Sequence, residues 1–185
     1  MALKRIMPCL LLKDKRLVKT VKFKNSLYIG DPINAVKIYN DKEVDELVIL
    51  DISASKKNKP IDFDLLEDFA AECFMPLAYG GGVKTIKDFQ KLYTLGIEKV
   101  VINSLLIDKP SIVIEAAKKF GNQSVIASID AIRNNKGKGV TTLKKFQMNL
   151  FKNIFKDNFS VEDQRFVLNN LKKINREELF SNINL

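Results

Sequence analysis

The sequence predicts an α/β fold: the N-terminal half of a (β/α)8 TIM barrel plus about one further strand, followed by a helical C-terminal tail. Three observations predict it. Short apolar runs recur up to Asp130, each continuous rather than alternating, as in strands covered on both faces. The longer segments between them carry apolar residues at helical spacing. Strand, helix, strand in repeated succession is the pattern of right-handed βαβ units in a parallel sheet.

The strand runs are Ile6 to Leu12, Leu47 to Asp51, Leu77 to Tyr79, Lys99 to Ile102 and Val125 to Asp130. The first helix is marked by Asp31 before Pro32, a residue suited to the first helical position, and by Ala35, Val36 and Tyr39 on one face. Leu65, Leu66, Phe69, Ala70 and Cys73 outline the second. Ile86, Phe89, Gln90 and Tyr93 outline the third, with Gly96 placed to end it. Ile112, Ile114, Ala116 and Ala117 form the fourth. After Asp130 the rhythm stops. Lys136 to Val140 is basic and contains glycine, and reads as a turn or loop. Thr141 to Leu185 has no glycine, no proline and no run like the earlier strands. Phe146, Leu150, Ile154 and Phe155 suggest one amphipathic helix there, and Ser160-Val-Glu-Asp163 resembles a capping box opening a second. Residues 1–135 are therefore expected to form the partial barrel, and residues 136–185 a lysine- and asparagine-rich helical tail.

At 185 residues the chain is long enough for a substantial core. It is short for a closed (β/α)8 barrel, which usually takes about 250 residues. Hydrophobic residues make up 46%, a globular composition. The net charge of +9 would attract phosphates. Its lysines are spread along the chain, so a solvated surface is the plain reading and a nucleic-acid partner is not expected. The absence of histidine excludes His-based triads and imidazole acid/base work. Cys9 and Cys73 lie far apart and are expected to be small core residues in a reducing compartment. The N-terminal apolar run is broken by Pro8, stops at Lys13 and lacks a cleavage site, so no signal peptide is expected. No stretch approaches the roughly 18 apolar residues of a membrane span. A cytoplasmic protein without cofactor or metal is expected.

Four features could carry chemistry. Tyr79-Gly-Gly-Gly-Val83 lies after a strand and before a helix, where exposed amides favour phosphate; a tight βα turn is the alternative. Asp51 and Asp130 both end strand runs, which in a parallel barrel places them at the catalytic mouth. Each could transfer protons, or simply cap a turn or pair with a lysine. Asn103-Ser104 offers an amide and a hydroxyl at the same rim, or forms a turn. Lys19, in the loop after the first strand, could neutralise a phosphate.

Together these residues resemble the cyclase subunit family of imidazole glycerol phosphate synthase, HisF. The resemblance runs through Lys4-Arg-Ile-Met-Pro-Cys9, Gly30-Asp-Pro32, Asp45-Glu-Leu-Val-Ile-Leu-Asp51, Gly80-Gly-Gly82, Lys99-Val-Val-Ile-Asn-Ser104 and Ser128-Ile-Asp130. It implies a lyase-type reaction that consumes ammonia from a HisH-like glutaminase partner and acts on a phosphorylated substrate. It implies Asp130 as a catalytic carboxylate. Gly81, Gly82, Asn103, Ser104, Lys19 and Asp51 are then expected at the substrate and its phosphate, and Arg5, Glu46 and Lys99 at the glutaminase-facing entrance. Two departures stand out. Leu11 occupies the position of the family's other proton-transferring aspartate, and a leucine cannot transfer a proton. Pro8-Cys-Leu-Leu-Leu12 and Leu17 to Lys24 look more like the HisF-like proteins of surface-polysaccharide clusters, which implies amidation of a sugar. No counterpart of the family's second half is visible after Asp130. The alternative expectation is an inactive half-barrel remnant or binding module, whose open sheet edge invites self-association.

Overall fold

The structure, a computed structural model, describes residues 5–21, 24–54, 59–128, 131–133 and 140–142. Its centre is a seven-stranded sheet made of β1 (Cys9–Lys13), β2 (Arg16–Val21), β3 (Lys24–Gly30), β4 (Leu47–Asp51), β5 (Leu77–Gly80), β6 (Lys99–Ile102) and β7 (Val125–Ala127). The spatial order is β3-β2-β1-β4-β5-β6-β7. Strands β1, β4, β5, β6 and β7 are parallel neighbours, and β2 and β3 form an antiparallel hairpin on the outer edge of β1. Helices α1 (Pro32–Asp41), α2 (Phe63–Glu72), α3 (Ile86–Thr94), α4 (Leu105–Asp108) and α5 (Pro110–Phe120) fill the crossovers. This is the parallel-dominated α/β architecture of a partial (β/α)8 barrel.

Helices α1, α2 and α3 begin where a side chain can satisfy their free amides. The Asp31 carboxylate accepts from the Asn34 amide at 2.9 Å, with Pro32 in the first turn. Asp62 accepts from the Leu65 amide at the start of α2. Thr85 and Asp88 form a reciprocal capping box on α3. Gly96, at φ +90°, follows the end of α3.

Alternation along the strands divides the sheet into two faces. Leu10, Leu12, Leu47, Ile49, Leu77, Tyr79, Val100 and Ile102 join Leu66, Phe69, Phe89, Leu92 and Val113 of the helices in one core. The intervening positions Leu11, Leu50, Gly80, Val101 and Ile126 lie side by side across the five parallel strands. In a barrel this row faces the axis.

Four features differ from the sequence expectation. The first strand begins at Cys9, because Ile6 and Met7 stay exposed and the Ile6 amide donates to the Asp45 carboxylate. Cys9 is an exposed free thiol rather than a core residue, since it lies in the uncovered row beside Val48. The segment after β1, expected as a loop, is the β2–β3 hairpin. The strand-free reading of Thr141 onward is also corrected, because β9 (Val140–Thr142) pairs antiparallel with β8 (Ala131–Arg133). The amphipathic helix around Phe146 to Phe155 and the helix opened at Ser160 lie outside the described residues. Among the described residues, no helix is long and apolar enough to cross a membrane.

The entry from β1 into the hairpin escaped prediction because the turn before β2 lacks glycine. Asp14 and Lys15 connect β1 to β2 with φ of 50° and 65°, a left-handed pair that normally calls for Asn-Gly or Asp-Gly. Contacts across the mouth hold it. Lys59 Nζ pairs with Asp14 Oδ1 at 2.9 Å and Lys15 Nζ with Asp62 Oδ2 at 2.5 Å. The Asp14 amide donates to Ser53 Oγ at 3.2 Å. The hydrogen bond from Lys15 holds the Asp62 carboxyl below its ordinary range, and Asp62 raises Lys15 in turn. A carboxylate with a lowered folded value contributes stability above its unfolded value and loses it as pH falls through the folded one. A lysine with a raised folded value contributes below its unfolded value and loses it as pH rises through the folded one. The hairpin is therefore expected to loosen below about pH 4 and again above about pH 10.4. Hydrogen-exchange protection factors of β2 and β3 amides should fall at the acid end, and Asp62→Asn should give the lower protection already at pH 7.

Candidate functional site

The C-terminal ends of the parallel strands and the hairpin enclose a cleft of about 320 Å³. In a (β/α)8 enzyme this is the end that carries chemistry. Its floor is apolar, supplied by Leu11, Leu50 and Val101 from the axial row. Its rim is polar and largely uncharged, with Thr20, Asn103, Ser104 and Ser128 facing the same space as the Gly80-Gly-Gly82 backbone. A small set of placed polar groups over an apolar floor is the usual make-up of a ligand pocket.

The glycine loop has this shape because nothing else fits. Gly81 has φ +134°, and a Cβ there would stand 2.5 Å from the Asp51 carbonyl oxygen and 2.9 Å from its Cβ. Gly82 has φ +71°, with the Ala54 Cβ 3.0 Å from where its own would be. The β5 turn is thus pressed onto the end of β4, leaving backbone rather than side chain at the cleft.

Asp51 lines the cleft, and its Oδ1 is also structural. That oxygen accepts from the Ser53 amide at 2.8 Å, the Ser53 hydroxyl at 2.7 Å and the Ala54 amide at 3.1 Å. The capping alternative raised from sequence therefore describes one of its two oxygens. Burial, assisted by the negative charges of Asp51 and Asp62, pushes the Tyr79 phenol well above its ordinary value. Tyr79 therefore stays neutral at physiological pH and does not serve as a base there.

Gly81, Gly82, Asn103, Ser104 and Asp51 come together at this cleft. Lys19 does not line it. It is exposed on β2 opposite Leu27. Asp130 lies outside the described residues. Ser104 precedes α4 without capping it, so its hydroxyl is not committed to the helix. Thr20, Ser128 and the apolar floor were missed. The alternation of Arg16 to Val21 was the available signal, since it sets Thr20 on the opposite face from Lys19.

Arg5, Glu46 and Lys99 meet at the other end of the strands. Glu46 is fully buried, and Lys99 Nζ lies 2.6 Å from each of its carboxylate oxygens. Arg5 approaches Oε2 at 3.6 Å from a more exposed position. A buried carboxylate is tolerable only when so paired. Among the described residues, no group of three or more His, Cys, Asp or Glu side chains is placed to hold a metal ion.

Comparison with known proteins shows the family. The chain matches the family described as histidine biosynthesis protein over residues 5–173. It is 54% identical over 130 residues to a Pseudomonas aeruginosa protein provisionally named imidazole glycerol phosphate synthase subunit hisF2, covering 70% of this chain and 52% of that one. A Campylobacter jejuni protein with the same provisional name is 48% identical over 129 residues, covering 70% and 52%. The imidazole glycerol phosphate synthase subunit HisF of Methanocaldococcus jannaschii is 44% identical over 134 residues, covering 72% and 49%. The chain spans about half the length of the curated relatives it matches.

Four variants test these contacts. Gly81→Ala is expected to destabilise by about 2–3 kcal/mol through strain and collision with the Asp51 carbonyl. Gly96→Ala, with open space around it, should cost only about 1 kcal/mol. Lys99→Met should cost about 3–5 kcal/mol by stranding the buried Glu46 charge, and adding Glu46→Met should recover most of that loss. Urea denaturation of the four variants measures all of these differences.

Proposed function

The chain belongs to the histidine biosynthesis protein family, and on that premise we propose that its cleft is the substrate site of a HisF-like, ammonia-using subunit. The observation that carries the proposal is the convergence of the Gly81-Gly82 backbone with Asn103 and Ser104 at the C-terminal ends of β5 and β6. Backbone amides and a hydroxyl at such an end suit a phosphate. Lys19, exposed on β2 outside the cleft, is proposed to add positive charge that draws an anionic substrate in. Asp130 is the proposed proton-transfer group, and Asp51 holds the β4 turn while offering its second oxygen to the cleft.

Leu11 shapes which reaction is favoured. It places an alkyl group on the cleft floor where the HisF family carries an aspartate, so this chain offers only Asp130 of that acid/base pair. Ammonia is itself a base and nucleophile. Its attack on an acyl phosphate of a sugar, forming the C–N bond as the C–O bond to phosphate breaks and inorganic phosphate leaves, needs fewer proton transfers from the protein than a full ring closure. Amidation of a surface-polysaccharide sugar is therefore the preferred reading. The ammonia is proposed to come from a HisH-like glutaminase docked at the opposite end, where Arg5, Glu46 and Lys99 form a charged cluster.

The second reading, a phosphate-binding module without catalysis, is favoured by the same leucine. The two readings separate in one experiment. The full chain is co-expressed with a HisH-type glutaminase and assayed for glutamine-dependent transfer of nitrogen to phosphorylated sugars. Product above a glutaminase-only control, lost with Asp130→Asn, is the expected result. No product, with inorganic phosphate still shifting the Gly82 and Ser104 amide resonances, would establish the binding module instead.

A further inference from the structure

We propose that Thr20 is a specificity-determining residue whose hydroxyl reads a hydroxylated part of the substrate away from its phosphate. The inference rests on the cleft being a phosphorylated-substrate site, as proposed above. It begins with the hairpin register. Val18 pairs with Tyr28 and Lys19 with Leu27, but Val21 pairs with Lys24, so one residue of β2 faces two of β3. The extra β3 residue is accommodated by Asn25, at φ 49°. Such an irregularity increases twist and re-aims side chains. Here Thr20 lies at the irregularity and lines the cleft, while Lys19 and Val21 on either side are exposed.

The base of the hairpin is held by the Asp14–Lys59 and Lys15–Asp62 pairs and by the Ser53 hydroxyl, itself bound to Asp51. Thr20 therefore has a defined place relative to the glycine loop. Among the described residues the Thr20 hydroxyl makes no hydrogen bond. In sheet order β2 is separated from β5 by β1 and β4. At about 4.8 Å per strand, Thr20 stands roughly 14 Å along the sheet from the glycine loop. Curvature shortens the direct path. A phosphate seated at Gly82 leaves Thr20 for the far end of an extended ligand.

The chemistry at that end is selective. Leu11 supplies an apolar wall and Thr20 a neutral donor and acceptor. A neutral hydroxyl beside an apolar wall suits a sugar ring, which presents C–H faces and hydroxyl edges. A second phosphate or a carboxylate would meet no cation among the described side chains lining this cleft.

The test uses the full chain with three probes: inorganic phosphate, glucose 1-phosphate and maltose 1-phosphate, titrated by calorimetry. Maltose 1-phosphate should bind most tightly to the native protein. Thr20→Val keeps the β-branched shape and removes the hydroxyl. It should weaken maltose 1-phosphate about 5- to 20-fold, one hydrogen bond's worth, and leave inorganic phosphate unchanged. Thr20→Ser should restore binding to within about 3-fold. Unchanged maltose 1-phosphate affinity in Thr20→Val, equal weakening of all three probes, or no preference of the native protein for the longer sugar overturns the Thr20 proposal alone. If inorganic phosphate does not bind the native protein, the substrate-site reading fails with it.

Discussion

At the end of β4, one carboxylate gathers three stretches of backbone into a fixed arrangement. Asp51 Oδ1 accepts three hydrogen bonds from Ser53 and Ala54, which closes the turn that leaves the strand. The Asp51 carbonyl and Cβ are what Gly81 packs against, so the shape of the β5 loop is cast on this residue. Ser53 then passes the constraint on, because its hydroxyl also accepts from the Asp14 amide in the hairpin turn. Cleft wall, glycine loop and hairpin are thereby set relative to one another by contacts that run through a single side chain and its neighbours.

The two ends of the parallel strands carry different physics. At one end, hydroxyls, an amide and glycine backbone surround an apolar floor, and among the described residues Asp51 is the charged side chain lining the cleft. At the other, a fully buried glutamate is neutralised by Lys99 and approached by Arg5. Between them runs the in-register row Leu11, Leu50, Gly80, Val101 and Ile126. Gly80 keeps that row close-packed, since a Cβ there would lie 2.8 Å from the Val101 carbonyl and 2.9 Å from a Leu50 methyl. An ion-paired end, an apolar middle and a hydroxyl-lined mouth are the features on which the proposed passage of ammonia toward a phosphorylated ligand rests. This is the physical sense of the proposed division of labour.

The hairpin alters how the mouth is to be understood. A two-residue turn with both residues left-handed is unfavourable without glycine, and here it is secured by ion pairs to the segment before α2 and to its N-cap. The same segment turns Thr20 inward and Lys19 outward. Charge read from sequence made Lys19 the obvious residue of this stretch. Strand geometry gives the inward position to its neutral neighbour.

The parallel strands and their helices were legible in the sequence because their signals are local. Continuous apolar runs marked β4 and β6 with their observed bounds, and Asp31-Pro32 marked the start of α1 through capping alone. The family was legible for a related reason: its motifs lie on these strands and in the turns at their ends. What sequence could not settle depends on contacts distant along the chain. The turn at Asp14-Lys15 is held by Lys59 and Asp62, more than forty residues away. Asp51 serves as a junction because Gly81 and Ser53 meet it in space. Whether Lys19 or Thr20 faces the cleft was decided by the register of β2 against β3. Sequence determined the five parallel strands, four of the helices and the family they belong to. Tertiary structure decided which side chains reach the cleft, because that depends on pairing register and on long-range ion pairs that no local pattern encodes.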